Sequence, residues 1–107
     1  MAKKWSDFRK ELLREGHITE EGVMLAEIKL RLAELFYDLR QKNKMSQQKL
    51  AKAVGVSQPY IAKIEDGEEN LTVETIVKLL AALNTCLQLR PAKRGKHDSI
   101  FRILKAA

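Results

Sequence analysis

The chain has 107 residues, 45% hydrophobic and 32% charged, with a formal net charge of +6, which suits one compact globular domain with an extension. Its single cysteine, Cys86, excludes an internal disulfide and a cysteine metal cluster and is expected in a reducing cytoplasm. No apolar run approaches the ~18–20 residues of a membrane span, and the N-terminal "MAKKWSDFRKELL" lacks the apolar core of a signal peptide.

The charge is unevenly spread. Residues 1–28 and 68–90 are each net −1, whereas residues 29–67 and 91–107 are each net +4. Positive charge on the middle segment and the tail favours a polyanionic partner; solubility alone is the competing explanation.

In chain order, "WSDFRKELL" places Trp5, Phe8, Leu12 and Leu13 on one side of a short helix, which Gly16 and His17 break. Thr19, followed by Glu20 and Glu21, starts the next: a hydroxyl cap, then acidic residues at the positive end of the dipole. Leu25, Ile28, Leu32, Leu35, Phe36 and Leu39 then recur at threes and fours to about Lys42. The pattern fits one long helix or two joined near Lys29. Ser46 caps a helix from Gln47 to about Val54, ended by Gly55, and Ser57 caps another to about Asp66, ended by Gly67. Asn70 or Thr72 opens the fifth helix, with Val73, Ile76, Val77, Leu80 and Leu83 facing inward. Asn84 tolerates the left-handed conformation at its end.

The period then changes. "CLQLR" alternates, with Leu87 and Leu89 on one side and Cys86, Gln88 and Arg90 on the other, until Pro91 stops it. As the one strand signal in the chain it needs an outside partner, and the simplest is the same strand in a second copy across a twofold axis. The tail ends in a short amphipathic piece, "SIFRILK", open to three roles: a further dimer element, a partner site or a disordered end.

The segment "MSQQKLAKAVGVSQPYIAKIEDG" carries the most specific pattern. Ala51 is small where two helices cross, Gly55 supplies a left-handed turn, and Ile61 and Ile64 lie six and nine residues beyond the glycine. This is the spacing of a helix-turn-helix. With both isoleucines inward, Ser57, Gln58, Tyr60 and Lys63 project outward at the start of the second helix, the part that enters a major groove. The Gln58 amide suits bidentate pairing to adenine N6 and N7. Tyr60 suits a thymine methyl or a phosphate, and Lys63 a guanine edge or a phosphate. Gln47, Ser46 and Lys44 fall at the sugar-phosphate backbone, where contacts position and do not specify. Lys49 and Lys52 are further phosphate candidates, with a solvated face as the alternative.

This segment closely resembles the XRE family of helix-turn-helix proteins, which includes the lambdoid phage repressors, over about Leu32 to Leu83. The resemblance implies an ion pair between Arg40 and Glu65, in place of two independent surface charges. The whole layout is similar to HigA-type antitoxins of bacterial toxin–antitoxin modules. That likeness implies a dimer that binds its own palindromic operator and neutralises a HigB-type mRNA endonuclease. The basic tail after Pro91 departs from that pattern.

The expected fold is therefore all-α: a five-helix lambda-repressor-like domain with an N-terminal helical extension and a C-terminal strand pairing across a homodimer. Its parts are the extension, 1–28; the helix-turn-helix domain, 29–84; the dimerisation strand, 85–91, through Cys86, Leu87, Gln88, Leu89 and Arg90; and a basic tail, 92–107. Trp5, Phe8 and Leu12 form either a toxin-docking stripe or an internal packing face. An enzyme is not expected: His17, His97 and Cys86 have no spacing that joins them, and neither a phosphate loop nor a metal or cofactor site is visible. Two other readings remain, a free-standing phage-type repressor and an interaction module that has lost DNA reading.

Overall fold

The computed structural model describes residues 19–93 and, as backbone, residues 101–105. The first helix expected around Trp5, Phe8 and Leu12 lies outside the described residues, and the five-helix count with it. Within them the chain forms α1 (Glu20–Lys42), α2 (Gln47–Val54), α3 (Gln58–Glu65), α4 (Val73–Ala82), β1 (Leu87–Pro91) and β2 (Phe101–Lys105).

Each helix starts on a hydroxyl. Thr19 Oγ1 accepts the Gly22 N–H at 3.0 Å, Ser46 Oγ that of Lys49 at 3.0 Å, Ser57 Oγ that of Tyr60 at 3.3 Å and Thr72 Oγ1 that of Thr75 at 3.1 Å. Each bond satisfies one N–H that has no partner within its helix. Thr72, not Asn70, is thus the cap of α4. Pro59 lies in the first turn of α3, where the missing N–H costs no helical bond.

The run from Glu20 to Lys42 is one continuous helix. It ends at Asn43, whose Nδ2 donates to Leu39 O at 2.7 Å, and the chain leaves through Lys44 at φ 56°.

The core lies where α1 crosses the helix-turn-helix pair and α4. Leu32, Phe36 and Leu39 from α1 meet Leu50 and Ala51 from α2, Ile61 and Ile64 from α3, and Leu79, Leu80 and Leu83. Burial of each large side chain stabilises by about 1.5–3 kcal/mol.

Three residues expected inward are not. Val73 and Val77 are 77% and 56% exposed, and Leu25 is 53% exposed. Residues 76–83, "IVKLLAAL", are apolar around most of the circumference, so periodicity alone does not choose a face. The packing places Leu79, Leu80 and Leu83 inward, with Ile76 at the margin.

The larger correction concerns the strand. β1 pairs antiparallel with β2 of the same chain, in the register Leu87↔Lys105, Leu89↔Ile103 and Pro91↔Phe101. The chain thus supplies the partner that was expected from a second copy, and a two-stranded hairpin is added to an otherwise helical fold. "SIFRILK" is too short to hold a helix unaided, and its apolar residues fit either period. Leu87 packs against the core, but Leu89 is 65% exposed and Cys86 is exposed one residue before the strand, so the expected inward pair is split.

Gly55 (φ +85°) and Gly67 (φ +76°) end α2 and follow α3, respectively, in the left-handed region. Their demands differ. A Cβ at Gly55 meets nothing within 4 Å, so only the backbone angle excludes other residues. A Cβ at Gly67 lies 3.1 Å from Leu30 Cδ2 of α1, so space and angle act together. Gly55→Ala is expected to destabilise by about 1–2 kcal/mol, and Gly67→Ala by more. Urea unfolding of the two variants checks the order; equal losses would show that Leu30 moves aside freely.

Candidate nucleic-acid interface

Gly55 reverses the chain between α2 and α3: its N–H and that of Val56 both donate to Ala51 O, at 2.8 and 2.9 Å. Ile61 and Ile64 are then 1% and 3% exposed, and the opposite side of α3 faces solvent. Ser57, Gln58 and Lys63 are exposed there; Tyr60 is half-buried and leans on the core. Tyr60 was expected to project fully outward. One face of its ring is part of the packing, and its hydroxyl end is what an approaching ligand would meet.

Beneath this surface lies a buried ion pair. Arg40 Nε donates to Glu65 Oε2 at 2.6 Å and Arg40 Nη2 to Glu65 Oε1 at 2.9 Å, a two-point contact between side chains only 9% and 6% exposed. Arg40 Nη1 donates to Met45 O at 2.8 Å. One guanidinium thereby joins the last turn of α1, the connection before α2 and the end of α3. The Tyr37 ring lies 5.4 Å from the guanidinium carbon and covers one face. Hydrogen bonding to the Glu65 carboxylate raises the Arg40 pKa above its ordinary value, against the opposing effect of burial. The arginine stays charged wherever the fold survives.

The same carboxylate reaches the surface through two amides. Gln47 Nε2 donates to Glu65 Oε1 at 3.1 Å, and Gln58 Nε2 donates to Gln47 Oε1 at 3.3 Å. Gln47, expected at the sugar-phosphate backbone, is half-buried and bonded on both sides. This amide relay is absent from the sequence reading. A signal for it exists: Gln47 and Gln58 each follow a capping serine directly, so they occupy equivalent first positions of consecutive helices.

Lys44, Lys49, Lys52 and Lys63 are exposed around the relay, and the Ser46 hydroxyl is spent as acceptor on its helix. The arrangement can offer hydrogen-bonding groups to base edges, with cations around them for phosphates. Trp5, Phe8 and Leu12 lie outside the described residues. Among the described residues no cluster of His, Cys, Asp and Glu is placed to hold a metal ion, and no helix is long and apolar enough to cross a membrane.

Comparison with known proteins points the same way. The family described as HTH_3, Helix-turn-helix, matches residues 36–87. An uncharacterized HTH-type transcriptional regulator of Haemophilus influenzae is 37% identical over 93 residues, which is 87% of this chain and 90% of that protein. Control protein C.SmaI of Serratia marcescens is 34% identical over 71% of this chain and 90% of its own length. Antitoxin HipB of Escherichia coli K12 is 34% identical over 57% of this chain and 69% of its own. Among solved structures, a chain of a toxin–antitoxin module from Streptococcus pneumoniae is similar with a TM-score of 0.55 at 28% identity, covering 86% of this chain and 97% of that one.

Removing one member of a buried ion pair leaves the other charge unpaired, at a typical cost of about 3–5 kcal/mol. Glu65→Ala is expected to lose that much stability in urea unfolding, and the double variant Arg40→Met/Glu65→Leu to recover most of it. A Glu65→Ala loss below about 1 kcal/mol, the range of exposed pairs, would show that the pair is solvated in solution.

Proposed function

The chain belongs to the HTH_3 helix-turn-helix family of transcriptional regulators, and on that footing we propose that it is a sequence-specific DNA-binding repressor acting as the antitoxin of a toxin–antitoxin pair. In this reading Gln58 is presented to adenine in the major groove, Ser57, Tyr60 and Lys63 flank it, and Lys44 and Ser46 approach the phosphates. The observation that carries DNA reading is the exposed Gln58 amide, held on a buried ion pair by Gln47. An interaction module with no duplex to read has no use for a solvent-facing amide supported in that way.

The antitoxin assignment draws on reach. The HipB match covers 57% of this chain, whereas the similarity to the Streptococcus pneumoniae toxin–antitoxin chain covers 86% and so extends well beyond the helix-turn-helix. The specific form proposed is a HigBA-type module, in which the N-terminal stripe Trp5, Phe8 and Leu12 docks a HigB-type toxin; the antitoxin relatives found are HipB, so the toxin's type is its least supported part. A free-standing regulator is the second reading, favoured by the likeness to control protein C.SmaI.

The protein works as a homodimer in the cytoplasm, so that two copies of α3 meet half-sites ~34 Å apart on a palindromic operator. Val73, Val77 and Leu89 supply exposed apolar side chains that a second copy would cover.

Purification of the full chain from its host is expected to bring down a small basic protein together with DNA from upstream of its own gene. DNA alone would sink the antitoxin assignment and leave the free-standing regulator. On the recovered DNA, Gln58→Ala is expected to cost about 1–3 kcal/mol at the cognate site and to relax preference at one position. A Gln58→Ala protein with full discrimination would remove Gln58 from the reading set.

A further inference from the structure

Glu65 is acceptor-only, since an ionised carboxylate carries no proton to donate. That single fact orders every amide above it. The Gln47 terminus 3.1 Å from Glu65 Oε1 must be its NH2, which turns Gln47 Oε1 towards Gln58. That oxygen in turn takes an N–H from Gln58, 3.3 Å away. One of the two Gln58 Nε2 hydrogens is thereby used inward, and the outward edge of the amide presents one oxygen and one N–H. The opposite order, with Gln58 oxygen inward, would require Gln47 to turn its own oxygen onto the carboxylate, where two acceptors repel.

From this we propose that Glu65 and Gln47 are positioning residues for base choice: the buried carboxylate locks the polarity of the Gln58 amide so that it selects adenine over guanine. Adenine presents an acceptor at N7 and a donor at N6, which matches an outward N–H and oxygen; guanine presents two acceptors, N7 and O6. A Gln58 amide turned the other way would offer its two N–H groups outward and favour guanine. The polarity of the contact is therefore decided in the interior of the protein, two residues away from the base. The inference rests on the reading of Gln58 as a groove contact, and it changes the part assigned to Gln47. Gln47 acts on discrimination through Gln58, beyond any contact of its own with the DNA backbone.

Two measurements test it, one without DNA. Gln47→Met keeps side-chain length, helix propensity and the Arg40–Glu65 pair, and breaks the relay. In the full chain labelled with 15N, the Gln58 side-chain amide is expected to be rigid on the nanosecond timescale and to become mobile in Gln47→Met. A Gln58 amide already as mobile as that of an exposed glutamine such as Gln48 overturns the relay. The second measurement selects duplexes from a randomised pool and then measures affinity for adenine against guanine at the position that Gln58→Ala relaxes. Gln47→Met is expected to lower that ratio on the order of tenfold, whatever it does to affinity overall. An unchanged ratio with uniformly weaker binding overturns the proposal and returns Gln47 to a backbone contact, and a wild-type preference for guanine also overturns it. A wild-type protein without sequence preference would defeat the functional reading; the Gln58 amide dynamics would still decide the relay.

Discussion

Arg40 and Glu65 meet in a two-point contact where α1, the connection to α2 and the end of α3 converge. Two charges taken out of water are tolerated only when geometry and further hydrogen bonds compensate their desolvation. Here the guanidinium gives two N–H groups to the carboxylate and one to Met45 O, and the carboxylate takes a fourth bond from Gln47. A purely apolar contact at this junction would allow α3 to rotate or slide by a fraction of a turn. The directional pair does not, and the orientation of the exposed face of α3 follows from it.

The helix-turn-helix depends on local chemistry of a different kind. Hydroxyl caps at Thr19, Ser46, Ser57 and Thr72 set where the helices begin. Left-handed residues set where the chain turns away: Gly55 through its backbone angle alone, Gly67 through its angle and its closeness to Leu30. Lys44 and Asn84 adopt the same region without being glycines. These signals are short in range, and they fix the directions of the helices before the core is counted. The branched pair Ile61 and Ile64 then seats α3, leaving Gln58 and Lys63 in solvent.

The comparisons separate two levels of functional statement. Membership of a helix-turn-helix regulator family follows from the match over residues 36–87 and from a relative 37% identical over 90% of its own length. Relatives within the family include an antitoxin and a restriction control protein, so the fold shared between them does not choose a partner. What differs among such proteins lies outside the DNA-facing core, in this chain on the N-terminal segment, the exposed valines of α4 and the C-terminal hairpin.

The helices, their caps, the left-handed turn at Gly55 and the burial of Ile61 and Ile64 were legible in the amino-acid order because each is governed by neighbours within a few residues. The partnership of Arg40 with Glu65 was legible only through family resemblance, since no local rule joins residues on different helices. The exposed faces of Val73, Val77 and Leu25 were not legible, because a helix apolar around most of its circumference leaves the choice of face to its neighbours. Nor was the pairing of Leu87–Pro91 with Phe101–Lys105, since a short apolar run fits helix and strand periods equally and only a partner strand decides between them. The amide relay from Glu65 through Gln47 to Gln58 belongs to tertiary structure alone: it exists because three side chains from separate helices converge on one carboxylate. Sequence determined which elements form and where they turn; only packing decided which atoms meet, because hydrogen bonds between elements depend on distances that residue order does not specify.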